Sequence, residues 1–253
     1  MIINSTLIPV IFIITSFVLF FFVQKYFNHA LYRDHISFAS SFSSAIGIVF
    51  GLFIGYSAIS AWQGYKETSA LIEKEAYSLN SIYRILVAYP PDIRSHEEAL
   101  LTKYVEGVIE KEWPLMRADK FEITTDKILK EFTEFLLLYN PKNNGELVAH
   151  QEELRLVSEY RQLRLHRIWA SKYDIVSPIN TCLAICAFLL MLHFSLYSMP
   201  NKKYHTTMIL FLSISIALLF YLIYEYHTPF HGLNAIEPKA FIRILESWKN
   251  SPS

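Results

Sequence analysis

The chain has 253 residues, 53% of them hydrophobic, 15% aromatic and only 18% charged, with 23 Lys+Arg against 23 Asp+Glu. A soluble domain carries about 25% charge, so this composition points to a membrane protein. The zero net charge argues against nucleic-acid binding, which needs a clustered cationic excess. Two cysteines and seven glycines exclude a disulfide-stapled mini-protein and a collagen-like chain.

Four apolar runs follow in chain order. Residues 1–24 hold no Asp, Glu, Lys, Arg or His, and Leu7 to Val23 is almost wholly apolar. The missing basic leader segment and the long aromatic core suit a retained helix better than a cleaved signal. Ile36 to Tyr65 is again uncharged, Ile175 to Leu192 is the third run, and Tyr204 to Tyr224 the fourth, with His205 at its edge. Each is long enough to cross about 30 Å of hydrocarbon. The expected layout is two spans in 1–62, a helical cytoplasmic segment in 63–174, two more spans in 175–226 and a cytoplasmic tail in 227–253. The fold class is an all-α integral membrane protein.

Orientation follows from the basic residues near the membrane. Lys66, Lys74, Arg161, Arg164, Arg167, Lys172, Lys239 and Arg243 stand on the side of 63–174, against Lys25, Arg33, Lys202 and Lys203 on the other. That excess places both termini and 63–174 in the cytoplasm.

Between Ser41 and Tyr89 there is no proline, and no glycine after Gly64. Span 2 is therefore expected to continue into the cytoplasm as one helix of roughly 70 Å. Pro90-Pro91 stops it. A second cytoplasmic helix carries Leu101, Tyr104, Val105, Val108 and Ile109 at helical spacing and is expected to end at Glu112-Trp113-Pro114. A third shows Ile128, Phe132, Phe135, Leu136 and Tyr139 on one face. After the turn at 140–145, a last helix from about Glu146 leads into span 3. The cytoplasmic part reads as a bundle extending two membrane helices rather than an independent domain.

Several features could carry chemistry. Gly47, Gly51 and Gly55 form a smooth stripe on span 2, suited to close helix contact either within the chain or between protomers. Arg161, Arg164 and Arg167 lie near the membrane surface. They suit anion attraction at a pore mouth, or contact with lipid headgroups and with Glu152, Glu153 and Glu159. Glu106, Glu110 and Glu112 on one helix, and Glu73 and Glu75 on another, read as solvated carboxylates. Cys182 and Cys186 share a face of span 3 and read as buried small hydrophobes. His193 is the one ionisable group well inside a span, which makes it a functional candidate. His227 and His231 flank Pro229 and are not read as ligands. With no nucleotide, hydrolase or zinc-protease fingerprint, no catalytic residue, cofactor or metal is expected.

The chain resembles bestrophins in layout and, more narrowly, the bacterial bestrophin-like domain family. The resemblance rests on Gly47 to Tyr65, Glu73-Lys74-Glu75-Ala76 with Ser81-Ile82-Tyr83-Arg84, Tyr104, Val105, Glu110 and Glu112-Trp113-Pro114. It continues through the Arg161/Arg164 helix, Thr228-Pro229-Phe230-His231-Gly232 and Ile236-Glu237-Pro238. It implies a pentameric homo-oligomer in a bacterial inner membrane, conducting small anions such as chloride with span 2 around the axis. Laying Gly51, Trp62 and Tyr65 on the similar family residues puts Ser44, Ile48 and Leu52 at the pore constriction. Glu225, Glu237 and Glu246 are dispersed where bestrophins carry an acidic calcium-binding run, so calcium gating is not implied. The competing expectation is a non-conducting scaffold or regulator whose cytoplasmic helices bind a partner.

Overall fold

A computed structural model describes residues 7–27, 36–118, 120, 124–172, 178–197, 199 and 201–250. Among them the chain is helical without strands. It divides into two compact units, one of 1–65 and 173–228, the other of 66–172 and 229–253. Four helices are long and apolar enough to cross a membrane.

The first unit contains α1 (Leu7–Tyr26), the N-terminal part of α2 (Ile36–Ile85), α7 (Pro178–Leu196) and α8 (Lys202–His227). Pro9 and Pro178 both sit in first turns, where no backbone donor is needed. α1 packs on α7 and α8. The core is apolar, with Phe20, Phe50, Ile54, Leu183, Ala187, Leu190, Met191 and Ile216 all buried. Polar groups in these helices satisfy themselves locally. Thr15, Ser195, Ser213 and Ser215 donate to the carbonyl one turn back at 2.7–2.9 Å, which spares each hydroxyl an unpaired state in hydrocarbon. Gln24 Nε2 donates to the Ser195 and Tyr197 carbonyls at 2.9 and 3.1 Å, tying the end of α1 to the end of α7.

The second unit holds the remainder of α2, a 3₁₀ turn (Leu86–Ala88), α3 (Pro91–Gly107), a π turn (Val108–Glu112), α4 (Trp113–Arg117), α5 (Thr124–Leu138), α6 (Asn144–Ala170) and α9 (Lys239–Lys249). The long second helix is present at 50 residues. It stops at the proline pair as expected. Tyr89 is extended at φ −94°, ψ 159°, the conformation that a following proline imposes, and Pro91 opens α3. The chain does not end a helix at Glu112-Trp113-Pro114. The π turn widens the backbone there, and Pro114 falls in the first turn of α4, where its ring is tolerated. Asn143 caps α6 by accepting from the Glu146 amide at 2.9 Å. α2 presents Ile72, Ala76, Leu79 and Ile82 on one buried stripe, which Leu86 of the 3₁₀ turn extends, in a core completed by Leu101, Tyr104, Phe132, Val157, Tyr160 and Phe241.

The C-terminal region is part of this unit, not a separate tail. Trp248 of α9 stacks on Tyr83 with ring centroids 4.3 Å apart and donates to Asn80 Oδ1 at 3.0 Å. The 228–238 segment folds over Trp113, whose indole Nε1 donates to the Ile236 carbonyl at 3.1 Å and whose ring meets Phe230 edge-on at 5.6 Å. Gly232 takes φ 80°, which a side chain would oppose.

Candidate functional site

Two places gather the residues singled out from the sequence. The first is the outward face of α2 in the membrane unit. Ile48 is 65% and Leu52 70% exposed within one chain. Ser44 is exposed on the same face, its hydroxyl turned back to the Ser40 carbonyl at 3.1 Å. Residues 44, 48 and 52 recur at one-turn intervals and project to one side. The stripe of Gly47, Gly51 and Gly55 runs beside them. A Cβ placed on any of the three would meet nothing within 4 Å outside the helix. Among the described residues, nothing packs tightly enough on these glycines to exclude a side chain. The side of α2 that carries Ser43, one turn before Gly47, is engaged. Ser43, buried, has its Oγ 2.6 Å from His193 Nε2 and 2.6 Å from the Tyr197 hydroxyl. His193 is thus a structural partner joining α7 to α2.

Cys182 and Cys186 are exposed, contrary to the expectation of buried small hydrophobes. They line an apolar groove of about 590 Å³ with Ile46, Val49, Phe53 and Leu189. Helical spacing gives their shared face but not whether a neighbouring helix of the same chain covers it.

The second place is an ionic core in the other unit. Arg167, wholly buried, donates to Glu75 from Nε at 2.7 Å and from Nη2 at 3.0 Å, a two-pronged pair. Its Nη2 also donates to Glu112, and its Nη1 meets Met116 Sδ at 2.8 Å. The guanidinium lies over Trp113 at 5.2 Å and Phe241 at 5.6 Å, so cation–π attraction replaces part of its lost hydration. Arg164, also buried, donates to Glu112 at 2.9 Å and to the exposed Asp126 at 2.8 Å. Burial pushes the Glu75 carboxyl up, against the pull of Arg167. Burial acts the same way on Glu112, but two guanidiniums outweigh it and hold that carboxyl below its usual range.

This corrects two readings. Glu75 and Glu112 are buried ligands of arginine, not solvated carboxylates. Arg164 and Arg167 have their charge matched inside their own unit. Arg161 differs: it is exposed, beside a hollow it shares with Asp126, Lys130 and Glu134. Glu106 is a surface residue paired with Lys249 at 2.8 Å. Of the acidic partners expected for the basic helix, Glu152 and Glu159 bind Arg155 instead, while Glu153 is buried. His231 Nε2 lies 2.8 Å from the Arg117 carbonyl, and no group of three or more metal-binding side chains occurs among the described residues.

Four apolar spanning helices and a polar helical unit with an arginine–carboxylate core define an all-helical multi-pass membrane protein. The family model of the bestrophin-like domain matches residues 10–241, and the chain belongs to that family. Among solved structures it is similar to a membrane protein at TM-score 0.70, with 12% identity over 96% of this chain and 99% of that one. It is similar also to a bacterial bestrophin homologue from Klebsiella pneumoniae carrying a leucine-to-threonine mutation. That match has TM-score 0.67 and 13% identity over 98% and 99% of the two chains. These likenesses show a shared fold. No curated protein matches.

Proposed function

We propose that the protein is an oligomeric ion channel for small anions such as chloride, with α2 lining the pore. The observation that carries this reading is the outward face of α2, where Ile48 and Leu52 stand exposed beside a glycine stripe on which, among the described residues, an added Cβ would meet nothing. In lipid, such a stripe is used for close helix contact. A neighbouring protomer seated on Gly47, Gly51 and Gly55 would leave Ser44, Ile48 and Leu52 turned toward a common axis. Two aliphatic rings one turn apart would then form a dry constriction that blocks ions by dewetting, below a ring of serine hydroxyls. Membership of the bestrophin-like family supports the assignment, and five subunits is the number that resemblance implies.

The basic excess flanking the membrane supports a cytoplasmic position for 63–174 and both termini, in a bacterial inner membrane. Anion attraction at the mouth falls to Arg161, because Arg164 and Arg167 are neutralised by Glu75, Glu112 and Asp126. A second reading, a scaffold that binds a partner protein, draws support from Leu138 at 85% and Val148 at 66% exposure on the polar unit. Chloride flux into vesicles reconstituted with the purified protein separates the two. Flux above that of empty vesicles supports the channel, and an oligomeric, folded protein silent across several salts removes it.

A further inference from the structure

Not every buried carboxyl in the polar unit has an arginine. Glu97 of α3 is 1% exposed and Glu153 of α6 is 0% exposed. Neither Glu97 oxygen has a hydrogen-bond partner, and the Glu153 carboxyl has only the approach of the Tyr89 hydroxyl among the described residues, too long or bent for a full hydrogen bond. The two are close enough for the charge of Glu153 to act on Glu97. Their surroundings are aromatic. The Tyr89 hydroxyl lies 3.2 Å from His150 Nδ1, and the Tyr139 ring meets Tyr89 edge-on at 5.2 Å. Further negative charges face this cluster, one of them, Glu146, drawn also to Lys142. Glu146 accepts from the Tyr139 hydroxyl at 2.7 Å, and Asp92 acts on the same phenol. Burial lowers the His150 pKa, which disfavours the charged imidazole that could serve as a countercharge. An ionised carboxyl that loses its water shell without gaining a donor or a cation is strongly disfavoured, whereas its protonated form is not.

We propose that Glu97 and Glu153 form a proton-binding site that ties the packing of α3 against α6 to pH, closed when the pair is protonated and loosened when it ionises. A metal ion is the less apt occupant, since no third ligand completes a site among the described residues. Burial first, and the neighbouring charge second, push Glu97 up to about 8. Burial pushes Glu153 up to about 7, against a smaller lowering by the Tyr89 hydroxyl. The two titrate as a pair. Both folded values lie above the ordinary 4.5. The stability they contribute is therefore fully present below pH 4.5 and lost as pH rises through 7 to 8. The site is independent of whether the chain conducts.

The test uses the full-length protein in lipid nanodiscs at pH 6 to 9. The infrared band of protonated carboxyl groups should weaken between pH 6 and pH 9, and the component that titrates in that range should be missing in Glu97→Gln with Glu153→Gln. Melting temperature should fall across that range in the wild type and stay flat in the double variant. Should the double variant fail to fold, Glu153→Gln alone is expected to shift the band's midpoint to lower pH. A wild type whose band does not weaken between pH 6 and pH 9 overturns the proposal. So does a melting profile unchanged by the substitutions, or stabilisation at pH 8 by added calcium or zinc that the double variant lacks.

Discussion

The two units solve the problem of buried polarity in opposite ways. The membrane unit keeps most of its interior apolar and returns several of its hydroxyls to their own helix, yet among the described residues a face of α2 is left uncovered. The polar unit buries two arginines and five carboxyl groups along with tryptophans, tyrosines and phenylalanines. In lipid there is no hydrophobic force to close a helix face, so contact surfaces are built from small residues and await a partner. In water the apolar residues close the core by themselves. Charges trapped there must be matched, which makes the unit specific in its packing but intolerant of losing one member.

The largest expected effect breaks the polar unit. Arg167→Met removes one guanidinium from Glu75 and Glu112 together, and Glu75 has no other cation paired with it. A stranded buried carboxylate costs about 3–5 kcal/mol. Thermal unfolding should show a large loss of stability, whereas Arg161→Met, on the exposed side of the same helix, should change it by less than about 0.5 kcal/mol. Equal effects would show that the ionic core is not what holds this unit.

Gly51→Leu addresses the other side of the comparison. A Cβ there meets nothing within 4 Å among the described residues, so a single protomer should fold as before. The assembly, by contrast, should lose subunits in native mass spectrometry. An unchanged mass would mean that the glycine stripe is not a contact between protomers.

The double variant Ile48→Ala with Leu52→Ala sharpens the same point without blocking assembly. Removing the bulk of both rings should raise chloride flux several-fold in reconstituted vesicles, because a dewetted gate leaks when it widens. Selectivity should change little, since neither side chain carries a charge or a donor. Flux equal to the wild type would place the constriction elsewhere.

How much was legible in the sequence differs between the units for the same reason. Uncharged runs declare the spans because lipid punishes any charge, so the observed helices Leu7–Tyr26 and Lys202–His227 contain the expected ones. Pro90-Pro91 and Asn143 mark helix ends through local backbone chemistry. The ionic core has no such local signal. Glu75 and Arg167 are 92 positions apart, and periodicity places a charge on a helix face without saying what the face meets. Glu75 therefore reads like Glu73, two residues away, which is solvent-exposed. The same blindness hides Glu97 and Glu153. It also misplaces Cys182 and Cys186, whose apolar surroundings suggest burial where one chain provides none.

The smallest expected effect concerns Arg155, on the same helix as Arg167. It donates to Glu152 at 2.6 Å and to Glu159 at 3.2 Å, but more than half of its side chain is exposed, at 58%. Water and salt screen these pairs, and holding three long side chains in one geometry costs rotamer freedom. Glu159 also keeps Lys74 at 3.3 Å, so neither carboxylate is stranded by the loss. Arg155→Ala should therefore leave stability nearly unchanged, and any difference should vanish in high salt. Arg167→Met should keep its large effect at every salt concentration, because its partners lie beyond the reach of mobile ions. Measuring both unfolding transitions at low and at high salt would distinguish burial from the mere count of ion pairs. An Arg155 effect as large as that of Arg167 and insensitive to salt would overturn the distinction.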